Sequence, residues 1–217
     1  MNDFQKLMLT GRHYQVSKRQ VIQSSDHRPV VTTVKSGYIK RYQILNDGSI
    51  GIQIIYGPGS VFPLTLVFKT LFNQHIYHGQ EVFYYEAMID SEIYSIDYMT
   101  LADEVRRNPQ IYANLLEESG KHLDSCVQRL ENATLRSAYN QLAHQLAYFA
   151  QKFGKPHIDG IIIDVPLTHQ DLASVLNVTR ETVSMAMTQL KKNGFIKSIK
   201  GKVVVANPKK LLDESYS

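Results

Sequence analysis

The chain has 217 residues, of which 43% are hydrophobic and 20% are charged, and its formal net charge is +4. These values are typical of an ordinary globular protein and exclude fibrous and intrinsically disordered classes. Cys126 is the only cysteine, which excludes an internal disulfide, a cysteine-based zinc site and a cysteine-ligated iron–sulfur cluster. No apolar run approaches the roughly 18 residues that a membrane span needs, and the start lacks a secretory signal pattern, so we expect a cytoplasmic protein.

Residues from about 20 to 98 have the pattern of short strands separated by turns. The segment VVTTV is rich in β-branched residues, and SIGIQIIY alternates isoleucine along one face. Between them, YIKRYQIL is followed by Asn-Asp-Gly at residues 46–48, which predicts a hairpin because Asp-Gly accepts the positive φ angles of a tight turn. EVFYYEAMIDSEIYSID predicts a further pair of strands. This spacing favours an antiparallel sandwich or barrel-like roll.

The middle of the chain, from about Asn108 to Lys152, has helical spacing and no proline after Pro109. Residues at alternating steps of four and three form a heptad seam there, with leucine at the d-type positions. The seam consists of Leu116, Gly120, Leu123, Val127, Leu130, Thr134 and Ser137. It favours a parallel two-helix coiled coil and hence a homodimer. A helix that packs on its own domain has the same spacing, so both interpretations stay open here.

The last 60 or so residues have the element order of a helix-turn-helix followed by a wing. GKPHIDG (154–160) is expected to be a connector. It is followed by the strand IIIDV, the helix HQDLASVL, the helix RETVSMAMTQLKKN and two strands around residues 200–202. From residue 179 to residue 210 there are eight Lys or Arg residues against one acid, Glu181. Such clustering predicts a polyanionic partner, although a solvated lysine-rich surface gives the same count.

Single residues predict where the two helices of this unit begin. Thr168 can cap the first helix, with Asp171 in the position of a capping-box acid. Thr179 can cap the second helix. Asn177 suits the left-handed turn position between them.

The second helix separates into an apolar side and a polar side. Its polar side is predicted to enter the DNA major groove, because an arginine fork suits guanine and a carboxylate can accept from the cytosine amino group. The predicted base-reading residues are Arg180, Glu181, Ser184 and Met185, and the predicted phosphate ligands are Thr168, His169, Thr179, Lys200 and Lys202. The alternative is a solvated helix start in which Glu181 complements the helix dipole.

The segment LTHQDLASVLNVTRETVSMAMTQLKKNGFI resembles the DNA-binding motif of the bacterial Crp/Fnr family of transcription regulators. RETV, the threonine before it and the NGFI exit carry most of the specificity, and the resemblance extends over about residues 12–210. It implies an α+β fold with an N-terminal antiparallel β-roll (a cyclic-nucleotide-binding-like jelly roll), a long dimerisation helix and a C-terminal winged helix-turn-helix. The corresponding domains are expected at 1–107, 108–152 and 153–217.

The same resemblance implies how such a protein works. Two copies would join through the long helix and place their recognition helices in successive major grooves of a partly palindromic operator. The implied helix contacts are Leu116, Leu123, Val127 and Leu130. Double-stranded DNA is the expected partner, RNA polymerase is a further candidate partner, and no enzymatic activity or cofactor is expected.

The chain departs from the family pattern at residues that set ligand and DNA specificity. Met185 stands where family members commonly have an arginine, so a half-site unlike the usual one is expected. Pro63-Leu64-Thr65 replaces the Gly-Glu pair that holds the ribose of cyclic nucleotides. Glu81-Val82 falls near the position of the Arg-Ser pair that holds the phosphate, and no arginine lies between Arg41 and Arg106. Cyclic AMP is therefore not the expected ligand.

Other features leave alternatives open. Cys126 suits either a redox role or a buried or half-buried thiol. The roll, with aromatic residues such as Tyr84 and Tyr85, suits either an effector-gated sensor that needs an unidentified small molecule to bind DNA or a passive scaffold. His75 and His78 suggest a cupin-like metalloenzyme as the enzyme alternative, without the cluster of ligands that such a site requires.

Overall fold

The computed structural model describes residues 2–22, 30–65, 68, 71 and 83–217. It divides into two compact units. The first consists of Met1–Ile44 and Gln53–Asp124, and the second of Leu45–Ile52 and Ser125–Ser217. Within the described ranges no helix is long and apolar enough to cross a membrane.

The first unit is the predicted antiparallel roll. Its elements in chain order are α1 (Asp3–Met8), β1 (Arg12–Val16), β2 (Val30–Ser36), β3 (Ile39–Ile44), most of β4 (Ile50–Tyr56), β5 (Val61–Phe62), β6 (Tyr84–Ala87), β7 (Ser91–Asp97), α2 (Tyr98–Arg107) and most of α3 (Pro109–Thr134). The strands form a four-stranded sheet of order β1-β7-β2-β5 and a three-stranded sheet of order β4-β3-β6. The fold class predicted from the sequence is confirmed.

Strand β2 of the roll is buried on both of its faces. Val31 and Val34 of β2 are fully or almost fully buried, and β2 pairs antiparallel with β7. The predicted hairpin turn is present, because Gly48 has a φ of +80° and the Leu45 N–H donates to the Ser49 carbonyl over 2.8 Å. One core cluster lies under α1 and α2, and a second is built from strand residues, including Ile39, Tyr56 and Phe62.

The prediction of one continuous helix over 108–152 is wrong, because the segment forms two helices. After α3 ends at Thr134, α4 (Ala138–Phe153) begins anew. Ser137 caps α4 because its Oγ accepts from the Asn140 N–H over 3.1 Å. The Asn132 side chain bridges the joint by donating to the Gln141 carbonyl over 2.7 Å. A serine is neutral enough inside a helix that spacing alone did not reveal this break.

The second unit contains the predicted helix-turn-helix and wing. Its remaining elements are β8 (Gly154–His157), β9 (Gly160–Ile163), α5 (His169–Leu176), α6 (Arg180–Lys192), β10 (Ile196–Ile199), β11 (Lys202–Val205) and α7 (Pro208–Glu214). The sheet order is β10-β11-β9-β8. The expectation that residues 154–160 form a plain connector is wrong, because Gly154–His157 pairs with β9 as a hairpin. Pro156 is tolerated because β8 is an edge strand.

Candidate nucleic-acid interface

The two helices of the helix-turn-helix begin where the sequence predicts. The Thr168 side chain accepts from the Asp171 N–H, and Asp171 accepts from the Thr168 N–H over 3.0 Å, so the capping box is complete. Thr179 caps α6 by accepting from the Thr182 N–H over 3.2 Å. Asn177 has a φ of +54° and a ψ of +44°, which is the left-handed conformation expected between the helices. All three local predictions are confirmed.

One face of α6 is buried and fixes the orientation of the other. Val183, Ala186, Met187 and Leu190 are buried, as the helical wheel predicts. The preceding helix α5 likewise buries Leu172 and Ala173. Because 3.6 residues make one turn, burying this set directs the start of the opposite face away from the core.

That opposite face presents a basic, an acidic and a large apolar side chain at the start of α6. Arg180 and Glu181 are exposed, and neither forms an ion pair within the described ranges. Met185 is 68% exposed although it is apolar. Charged and apolar side chains held outward on a rigid helix, without partners of their own, are available to contact base edges.

Ser184 is arranged differently from the other three predicted base-reading residues. It is half-buried, its Oγ donates to the Arg180 carbonyl over 2.9 Å, and its Oγ lies 2.9 Å from His169 Nδ1. Burial, followed by the positive charges of Lys191 and Arg180, lowers the pKa of His169, which favours the neutral ring. The hydroxyl of Ser184 thus joins α5 to α6, and its contact with DNA stays a prediction.

The wing carries two predicted phosphate ligands, Lys200 and Lys202, whose side chains differ in exposure and in ion pairing. Lys200 and Gly201 form the turn between β10 and β11 with φ angles of +49° and +77°, and the Lys200 side chain is exposed. Lys202 instead pairs with Asp164, which Lys155 also contacts over 2.6 Å. These two ammonium groups hold the pKa of Asp164 below its usual value. Lys200 is therefore free to approach phosphate, whereas Lys202 must leave or share its carboxylate.

The predicted seam residues are exposed on α3. The exposed fractions are 49% for Leu116, 65% for Leu123, 42% for Val127 and 69% for Leu130. Cys126, beside the seam, is also exposed, so the expectation of a buried or half-buried thiol is wrong. These four side chains form an exposed apolar stripe along α3.

The residues relevant to a ligand or metal in the roll are only partly described. In the Pro63-Leu64-Thr65 segment, Leu64 is 6% exposed and packs in the first core cluster. Its side chain therefore contributes to the core and offers no polar group to a ligand. His75, His78, Glu81 and Val82 lie outside the described residues. Among the residues that the structure does describe, no group of three or more His, Cys, Asp or Glu side chains is placed to hold a metal ion.

The geometry defines a class of protein: a β-roll followed by a winged helix-turn-helix whose second helix presents unpaired side chains. Comparison with known proteins agrees with this class. Residues 140–214 match the family model of the Crp-like helix-turn-helix domain. The chain is 25% identical over 193 residues to the regulatory protein HlyX of Actinobacillus pleuropneumoniae, covering 88% of this chain and 76% of that protein.

Two further relatives cover most of the chain. The global nitrogen regulator of Synechocystis is 24% identical over 174 residues, which is 78% of this chain and 77% of that protein. The structure of FixK2 from Bradyrhizobium japonicum matches the fold with a TM-score of 0.73 at 21% identity, covering 94% of this chain and 96% of that one. The resemblance found in the sequence is confirmed: residues 140–214 match the Crp-like helix-turn-helix domain, and the chain is a DNA-binding transcription regulator similar to those of the Crp/Fnr type.

Proposed function

We propose that the chain acts as a homodimer, binds a partly palindromic operator and does so without cyclic AMP. The observation that carries the proposal is the start of α6, where Arg180, Glu181 and Met185 are exposed while the opposite face of the helix is buried. Two such helices related by a two-fold axis would read two half-sites about 34 Å apart along the duplex. Because its partner is DNA, the protein would act in the bacterial cytoplasm. RNA polymerase is a further candidate partner.

The exposed stripe on α3 supports the homodimer. Leu116, Leu123 and Leu130 recur every seven residues, with Val127 between them, and all four are exposed. Leucine at d-type positions is the arrangement that packs knobs into holes across two parallel helices. A second copy of the same helix would bury this apolar surface, which water otherwise disfavours.

The residues of the roll support independence from cyclic AMP. The nucleotide needs polar groups for its ribose and phosphate, and Leu64 is instead buried in the core. The alternative is an effector-gated sensor that uses the same DNA interface but needs a small molecule to bind DNA. The relatives are transcription regulators rather than enzymes, and a cupin-like metal site would depend on His75 and His78, so we propose no catalytic role and no cofactor.

The substitution Arg180→Ala tests base reading directly. It should weaken binding to the best DNA site by about 1–3 kcal/mol, the range typical of one good base contact. Binding to unrelated duplexes should change little, because phosphate contacts supply most of that affinity. Both dissociation constants are measured at one fixed salt concentration.

Arg136→Ala is the matched control, because Arg136 is exposed, lies between α3 and α4 and loses the same charge. It should leave both affinities near those of the wild type. An equal loss on all duplexes with Arg180→Ala would make Arg180 a phosphate ligand and contradict its role as a base reader.

A further inference from the structure

Asp164 follows the last residue of β9, and its position is fixed by the residues around it. Its neighbours Ile163 and Val165 are 1% and 2% exposed, and its own N–H donates to the Phe153 carbonyl over 3.1 Å. Because both neighbours are buried, the side chain between them faces outward, and 23% of it is exposed. The second unit therefore holds one carboxylate in a defined place on the surface of its sheet.

Two lysines reach this carboxylate from opposite sides. β11 pairs antiparallel with β9, and Val204 lies opposite Ile162. Two residues further along each strand, the same register brings Lys202 across from Asp164. Lys155 comes from β8 on the other side of β9, because the sheet order is β10-β11-β9-β8. Lys202 pairs with Oδ1, and Lys155 pairs with Oδ2 over 2.6 Å, so each oxygen holds one ammonium group.

The pairing changes what the two lysines can contribute to DNA binding. Hydrogen bonds from Lys155 and Lys202 lower the pKa of Asp164, so the carboxylate is charged at neutral pH. Lysines add to DNA affinity by neutralising phosphates and releasing the counterions of the DNA. A carboxylate that lies between two lysines competes with phosphate for both ammonium groups, and it repels the phosphate itself.

The carboxylate also stands near the predicted phosphate ligands. Lys200 forms the turn of the wing that leads into β11, and Thr168 caps α5 four residues after Asp164. The turn between β8 and β9 repeats the arrangement, because Asp159 pairs with Lys197 of β10. Acids of the β8–β9 hairpin are thus set against lysines of the wing, on a part of the chain where DNA would favour free lysines.

We propose that Asp164 restrains Lys155 and Lys202 and thereby limits the affinity of this protein for DNA of any sequence. Because two ammonium groups are kept from phosphate, more of the affinity depends on the base contacts of α6. Asp164 is a positioning residue, since it acts on DNA through the two lysines. The inference rests on the proposed function, because it places the wing beside the phosphates of the duplex.

The substitution Asp164→Asn in the full-length protein tests the restraint, because asparagine keeps the size of the side chain and removes its charge. The variant should bind an unrelated duplex more tightly than the wild type. The slope of log K against log salt should steepen by about 0.9 for each lysine that reaches a phosphate, hence by about 1–2. Asp213→Asn is the matched control: Asp213 is exposed on α7 and forms no ion pair among the described residues. It loses the same charge and should keep the wild-type slope.

A combined variant separates release of the lysines from a general gain of positive charge. In a protein that carries Lys155→Met and Lys202→Met, the further change Asp164→Asn should leave the slope unchanged, because neither ammonium group remains to be released. An equal steepening in both backgrounds, or an unchanged slope with Asp164→Asn alone, would overturn the proposal. In the second case Lys200→Met tells which claim has failed. A shallower slope in that variant keeps the wing beside phosphate, whereas an unchanged slope contradicts the proposed contact of the wing with DNA as well.

Discussion

At the scale of single residues, the interface was predictable where periodicity decides exposure. The spacing of the apolar residues in α6 predicts which face of the helix is buried. Arg180, Glu181 and Met185 lie on the opposite face and are exposed, as this spacing predicts. Ser184 could not be read in the same way. Its hydroxyl is held by His169 of α5, and a contact between helices leaves no mark in the spacing of either one.

Met185 provides the residue-scale prediction. Methionine cannot donate a hydrogen bond, so it should contact a thymine methyl or cover the groove edge, whereas Met185→Arg should favour guanine at one position of each half-site. The preference should change by about 1–3 kcal/mol at that base pair. Binding selections from random duplexes compare the two proteins.

Ala133→Arg is the control, because it adds the same charge at an exposed position of α3. It should leave the selected motif unchanged. Identical motifs from the wild type and Met185→Arg would place Met185 outside the base-reading set.

At the scale of elements, caps were predictable and breaks were not. Thr168 and Thr179 predict where α5 and α6 begin, because a hydroxyl residue before an apolar repeat is a common N-cap. Ser137 caps α4 in the same way, but it also falls on the heptad repeat, so the pattern predicts a continuous helix there. The strand Gly154–His157 was missed because four residues with a proline carry little strand signal.

The joint between α3 and α4 predicts a dependence of stability on pH. His144 is 1% exposed, its Nδ1 lies 3.3 Å from Asn132 Nδ2, and its buried Nε2 has no hydrogen-bond partner. Burial lowers the pKa of His144 from its usual 6.5, and Glu131 opposes that shift. The unfolded chain therefore takes up the proton first. Stability is complete above about pH 6.5 and is lost as the pH falls below it, by about 1.4 kcal/mol per unit of pKa difference.

Urea unfolding of the second unit between pH 7.5 and 5.5 measures this effect. His144→Gln should flatten the dependence, although part of the slope should persist because the pKa of His169 is lowered as well. Gln145→Asn, at a buried polar residue next to His144 that does not titrate, serves as the control and should keep the wild-type slope. A slope unchanged by His144→Gln would refute the assignment.

At the scale of the whole molecule, the class of fold was predictable and the division into units was not. Alternating strands, a heptad helix and a capped helix pair indicated a roll followed by a winged helix-turn-helix, and the structure has these parts in that order. The predicted boundaries followed the type of element, at 107/108 and 152/153. The compact units instead divide within α3, after Asp124, because a continuous helix has no boundary in its pattern.

The central claim is that two copies, joined through α3, read two half-sites with α6. The most direct test is to select duplexes from a random library with the purified protein, at about 150 mM salt and without added ligand. The salt concentration is fixed because the affinity of phosphate contacts depends on it. The wild type should select two half-sites related by a two-fold axis, about 10 base pairs apart. Leu123→Glu combined with Leu130→Glu should leave a single weak half-site, because two like charges per helix would oppose pairing of the stripe. Gln128→Glu, on the side of the same helix that faces away from the stripe, should select the wild-type motif. A single half-site from the wild type, or no enrichment by a folded dimer, would contradict the account.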